Sequence, residues 1–118
     1  MPEITVAGDY TPPVVNDPDL VTGVTASMSR ILGNENVIRV DPSTVAEDFG
    51  MYGRTPEQVK IGVFWLGGVN PSKYSASKAK DKMLPALHSS TFCPDFRPAY
   101  ITGVTAMSRA MLDLLQKK

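Results

Sequence analysis

Histidine and cysteine occur once each, at His88 and Cys93, and that scarcity removes several kinds of chemistry at the outset. A lone cysteine forms no intramolecular disulfide and says little about compartment. Catalytic zinc takes three protein ligands and keeps one position open, so a single imidazole and a single thiol cannot build such a site from nitrogen and sulfur donors. An excess of one charge is also missing: 12 Lys and Arg stand against 12 Asp and Glu. No basic stripe with interleaved aromatics occurs either, so neither nucleic acid nor a membrane is an expected partner. The one cationic cluster, Lys73 to Lys82, also carries Ser, Ala and Asp and reads as a solvated loop. No apolar run approaches the length needed to cross a bilayer, and no secretory hydrophobic region follows Met1. A chain complete as given is therefore expected to be soluble and cytoplasmic.

What is present is an ordinary globular composition over 118 residues, enough for one domain with a core but short for a two-domain enzyme. Ile4 to Tyr10 alternates partly like a strand, and Thr11-Pro12-Pro13 stops it because proline fixes φ and removes a ladder donor. Asn16 or Asp17 next supplies an N-cap and Pro18 suits a first helical turn. Leu20, Val24, Met28, Ile31 and Leu32 then fall on one face before Gly33-Asn34, which predicts an amphipathic helix over roughly Pro18 to Leu32. Val37 to Val40 reads as a short β-branched strand, and Val45 to Tyr52 as a short helix. Lys60 to Leu66, with the sequence KIGVFWL, suits a strand buried on both faces, and Gly67-Gly68 would let its end approach something closely.

Val69 to Pro85 shows no periodicity and is expected to be a surface or site-lining loop. Ile101, Val104, Met107, Met111, Leu114 and Leu115 form a wide apolar stripe on a final helix. Its methionines read as core filler, and Lys117-Lys118 suits the C-terminal dipole. Together these elements predict an α/β fold, a small sheet with packed helices.

The stretch Leu84-Pro-Ala-Leu-His88-Ser-Ser-Thr-Phe92-Cys-Pro-Asp95 presents the histidine from a short polar loop, where an imidazole can ligate a metal or move a proton. Taken bare, a single histidine is more often structural. Cys93, between Phe92 and Pro94, reads as inert packing.

Four blocks taken together resemble the C-terminal part of the metal-dependent amidohydrolases, a family that includes aminoacylases, hippurate hydrolase, aminobenzoyl-glutamate hydrolase and the indoleacetyl-amino-acid hydrolases. The blocks are Tyr10-Thr-Pro-Pro-Val-Val-Asn-Asp17, Val45-Ala-Glu-Asp-Phe49, Phe64-Trp-Leu-Gly-Gly68 and Leu84 to Asp95, and their order and spacing agree over nearly the whole chain. The resemblance implies that residues 1–16 are the remnant of a lid or dimerisation domain. Residues 17–118 would then be the C-terminal part of a zinc-peptidase-like catalytic domain.

It also implies site residues. His88 matches the family's C-terminal metal ligand, for zinc, manganese or cobalt in the parent enzyme. Glu47 and Asp48 match a segment at the rim of the active site, where they would orient a ligand or hydrogen-bond groups near the metal; a helix N-terminus charged to suit its dipole explains them equally well. Gly67 and Gly68 would let the backbone approach substrate or merely turn the chain. Phe49 and Trp65 read as core, and Asn16 and Asp17 as a cap. The family's first metal-binding motif and its paired glutamates, one of them the general base, have no counterpart here. Phe96-Arg97 stands where an acidic continuation is frequent, which leaves substrate preference open.

The expected function is accordingly that of a C-terminal fragment of an enzyme hydrolysing N-acyl or peptide-like amides of amino acids. It would be inactive alone, its partners being the missing N-terminal part and, through an unpaired edge at Lys60 to Leu66, a second copy in a homo-oligomer. The alternative is a stand-alone non-catalytic protein-interaction domain derived from the same family.

Overall fold

Helix α1 spans Pro18–Leu32, α2 spans Pro71–Ala79 and α3 spans Phe96–Gln116 in the computed structural model, with 3₁₀ turns at Asn34–Asn36 and Asp48–Arg54. The structure describes residues 2–5, 8, 10–45, 47–80 and 83–116.

Helix α1 begins and ends where its signals stand. The Asp17 carboxylate accepts a bond from the Leu20 amide at 2.8 Å, Pro18 follows in the first turn, and Gly33 closes the helix at a φ of +88°. Positive φ there is open to glycine at no steric cost.

The contact that organises the chain is α1 against α3. Ala106 and Ala110 of α3 are 2% and 5% exposed and face Met28 of α1, with Val24, Leu32 and Val37 packed around them. Small residues on α3 let the two backbones approach closely, and the pair is clamped at one end by charge. Asp113 takes a two-pronged contact from Arg109 one turn earlier, 2.8 and 3.2 Å, and a further one from Arg30 of α1. The Ser27 hydroxyl beside it, then Arg109 and Arg30, hold the Asp113 carboxyl below the usual carboxylate range.

The α/β expectation is not met: among the described residues every regular element is helical and no strand or sheet forms. Val37 to Val40 and Lys60 to Leu66 have strand-forming side chains but no neighbouring ladder, and an extended segment without partners gains none of the cross-strand energy that defines a sheet. Of the N-terminal strand read at Ile4 to Tyr10, Val6, Ala7 and Asp9 lie outside the described residues and the remainder is irregular. The segment read as a loop from Val69 to Pro85 contains α2. Its start was legible, since Asn70 caps it by accepting from Ser72 at 2.9 Å and Pro71 follows. Lys117 and Lys118 lie outside the described residues.

The apolar run is held by side-chain substitutes for a strand. Asn16 accepts a bond from the Val63 amide at 2.8 Å and donates one to the Val63 carbonyl at 2.9 Å, while the Asp17 amide donates to the Ile61 carbonyl at 2.9 Å. A carboxamide can reach both groups of one residue only when they point the same way, as they do in extended backbone. Lys60 adds ion pairs to Asp17 and Asp19 at 3.3 and 3.2 Å, which raises its own pKa.

Burial is shallow. The chain exposes 10341 Å², whereas a folded monomer of its 12.8 kDa exposes about 6,300 Å². Its radius of gyration is 17.8 Å, against about 13.5 Å for a compact domain of this length. Among the described residues no large side chain is fully buried. Trp65, Met107 and Met111, read as core, are each about half exposed.

Two outcomes are expected. Because the Asp113 pKa is depressed on folding, its contribution is fully present above the unfolded value of 3.8 and fades as pH falls through the lower folded value. Helicity and melting temperature followed down through that range should drop in the wild type, and Asp113→Asn should be weaker at neutral pH with this acid step reduced. Separately, Asn16→Ala should lower stability by about 1–2 kcal/mol and speed amide exchange at Val63. Asn16→Asp, which keeps the acceptor and loses the donor, should fall between.

Candidate functional site

The third and fourth sequence blocks touch in the fold, and the first is tied to the segments that flank the second and third. The Pro12-Pro13 segment lies directly on the 3₁₀ turn Asp48–Arg54: a Cβ at Gly50 would come within 2.9 Å of the Pro13 carbonyl oxygen. Only glycine allows that approach. Arg54 donates to the Tyr10 hydroxyl at 3.1 Å, and Asn16 and Asp17 bond to Val63 and Ile61 as described. The Asp95 amide then donates to the Gly68 carbonyl at 2.7 Å, with Pro94 packed over Gly68. The Tyr10 block therefore meets both the 3₁₀ turn that follows Glu47 and the start of the apolar run, and Gly68 beyond the end of that run meets the end of the histidine block at Asp95.

His88 sits at the tip of two successive turns. The Ser89 amide donates to the Ala86 carbonyl at 2.9 Å and the Phe92 amide to the Ser89 carbonyl at 3.0 Å, while the Ser89 and Thr91 hydroxyls share a bond of 2.8 Å. These bonds fix the loop and leave the imidazole exposed. Cys93, read as packing, is exposed as well. Gly67 has open space where a side chain would stand, and at Gly68 a Cβ would meet Pro94 at an ordinary 3.4 Å. Neither glycine takes a positive φ, so nothing within this chain requires glycine at those positions.

Glu47 caps the 3₁₀ turn by accepting from the Phe49 amide at 3.1 Å, and Asp48 is exposed in its first turn. Among the described residues no hydrogen bond or ion pair joins either carboxylate to the histidine loop. The structure thus ties the end of His88's block to Gly68 and places Glu47 and Asp48 at the start of the 3₁₀ turn that packs on Pro12-Pro13.

Asp95 is the residue that sequence reasoning missed. Its amide holds Gly68, its carboxylate accepts from the Asn70 side chain at 3.2 Å, and its carbonyl accepts from the Ala99 amide at 3.2 Å. One residue thereby joins the apolar run, the cap of α2 and the start of α3. An acidic residue just before a helix is a capping signal, yet the long-range bond to Gly68 has no local signature.

For a divalent metal the test is the donor set. His88 offers an accessible imidazole, but among the described residues no group of three His, Cys, Asp or Glu side chains is placed to hold an ion. The residues present do not fit a self-contained metal centre. One shallow groove of about 660 Å³ runs along α1 past Val21, Thr25, Ser29 and Arg30, and it includes none of the residues that the sequence nominates. Compared with protein-family models, with curated proteins and with solved structures, the chain matches none. No helix among the described residues is long and apolar enough to cross a membrane.

A single imidazole holds zinc weakly because most of the coordination shell is missing. Calorimetric titration of the purified chain with zinc should give no stoichiometric site of sub-micromolar affinity. A tight site lost in His88→Ala would show that further ligands converge on this loop.

Proposed function

We propose that this chain is the C-terminal part of a metal-dependent amidohydrolase acting on N-acyl or peptide-like amides of amino acids, and that it is inactive alone. The observation that supports this reading is that Gly68, ending the third block, is bonded to Asp95, ending the fourth, while the Tyr10 block is bonded to Arg54, Ile61 and Val63, in the segments that flank the second and third. Order in sequence is thereby matched by a continuous chain of bonds from the Tyr10 block through the apolar run to the end of the histidine loop. The open surface around them supports the same reading, since a chain with so shallow a core gains stability by lying against more polypeptide.

In this reading His88 supplies one ligand to a site whose remaining donors and general-base glutamate reside on a separate segment. Within this chain, Asp95 and the turns at Ala86 to Phe92 hold the imidazole outward. Gly67 and Gly68, tied to the end of the histidine block through Asp95, would leave a low backbone ridge along which an extended substrate can lie. Glu47 and Asp48 stand at the start of the 3₁₀ turn that packs on Pro12-Pro13. Zinc, manganese or cobalt is the cofactor of the assembled enzyme, and the chemistry such an ion supplies is polarisation of the amide carbonyl and activation of water.

A second reading, a stand-alone non-catalytic interaction domain, is favoured by the exposed apolar residues Ile101, Val104, Met111 and Leu115 on α3, a face able to bind a partner without any chemistry.

Complementation separates the two. The chain alone should not hydrolyse N-acyl amino acids with added manganese or zinc. Mixed with a segment carrying the family's metal motif and paired glutamates, it should recover activity. His88→Ala should cut that recovered rate by about a hundredfold or more, and Cys93→Ser much less. Hydrolysis by the chain alone, or indifference to His88→Ala in the mixture, would overturn the proposal.

A further inference from the structure

The bonds to the apolar run also reveal which of its edges is unused. In extended backbone the main-chain groups of alternate residues point to opposite edges, and side chains alternate between faces. Ile61 and Val63 spend theirs on Asp17 and Asn16, so the odd-numbered residues define the occupied edge. The extended parity continues, because positions 62 and 66 both face the packed pair of helices: a Cβ at Gly62 would meet Leu20 and Val21 of α1 at 3.5 and 3.8 Å, and Leu66 reaches Gly103 of α3. The main-chain groups of Gly62, Phe64 and Leu66 therefore line the other edge, and among the described residues none of them is hydrogen-bonded. That edge ends at Gly68, whose carbonyl is taken by Asp95.

We infer that this edge, Gly62 to Leu66, is an interaction surface whose occupant in the isolated chain is a second copy, paired antiparallel about Phe64 through main-chain hydrogen bonds. The chain itself holds no sheet, and the ladder forms only between copies. Three features select this occupant. First, no charged residue or proline lies between Ile61 and Val69. The devices that normally keep exposed edges apart are thus missing, and apposed copies meet no like charge. Second, the twofold register centred on Phe64 sets Gly62 opposite the second copy's Leu66, and Trp65 opposite the second copy's Val63. The latter is an aromatic and β-branched pair of the kind that stabilises cross-strand contacts, and it forms twice by symmetry. Val63 and Trp65 are 40% and 53% exposed in the single chain, so this apposition covers apolar area. Third, the chain exposes 10341 Å², about 4,000 Å² more than a compact monomer, while a stable dimer needs about 800 Å² from each partner. Helices α1 and α3 back the edge from one face and keep a two-stranded ladder from standing alone.

The test separates the main-chain pairing from general stickiness. Sedimentation equilibrium of the purified 118-residue chain should show a species of twice the 12.8 kDa chain mass. Phe64→Ala should weaken the dimer while preserving it, because the amide hydrogen remains. Phe64→Pro removes that hydrogen and should raise the dissociation constant about tenfold or more beyond Phe64→Ala. Circular dichroism should show the same helicity in both variants, as position 64 lies outside the helices. A wild type that stays monomeric at high concentration would overturn the inference. So would association, in a dimer or a larger assembly, to which Phe64→Pro and Phe64→Ala are equally indifferent.

Discussion

The path of the apolar run toward the candidate site starts from one side-chain amide. Asn16 satisfies both main-chain groups of Val63, which a neighbouring strand would otherwise do, and so holds an apolar run extended with no sheet around it. The run then crosses α1 at Gly62 and α3 at Leu66 and delivers Gly67 and Gly68 to the histidine loop. Asp95 receives it there. Without the carboxamide, two main-chain groups would need other partners, and the path from the Tyr10 block to His88 would lose its first fixed point.

The helices were legible where local chemistry sets them. Helix α1 runs over Pro18–Leu32 as its cap, its proline and its closing glycine imply, because each of those signals acts within a few residues. Helix α3 is also written in its periodicity, although the residues that pack are Ala106 and Ala110 and not the larger Met107 and Met111. Hydrophobic size is a poor guide when close helix approach selects small side chains. Helix α2 was missed because it has no apolar stripe, its evident signal being the Asn70-Pro71 start.

The sheet was misread for a different reason. Residues Val37 to Val40 and Lys60 to Leu66 carry the side chains of strands, but a strand is a property of pairs, and its partner is not encoded in the segment itself. The same limit applies to the site. The contact of Gly68 with Asp95, and of Gly50 with Pro13, joins residues far apart in sequence. Nothing in the composition of either block announces the other. The single imidazole of His88 could be identified as exposed and loop-borne from its neighbours, while the separation of Glu47 and Asp48 from that loop could not.

The clamp between Arg30 and Asp113 spans 83 residues, which makes it a question of loop closure as much as of charge. Joining chain ends that far apart has a length-dependent entropic cost of roughly 4 kcal/mol, over and above the constant term. Small side chains and one shared carboxylate are a modest return for that. The bonds of Asn16 to Val63, 47 residues apart, shorten the circuit: with that tie in place, the path from Arg30 to Asp113 runs back along α1 to Asn16 and then on from Val63. The order in which contacts can form is therefore constrained by topology, the shorter tie being the less costly to close first.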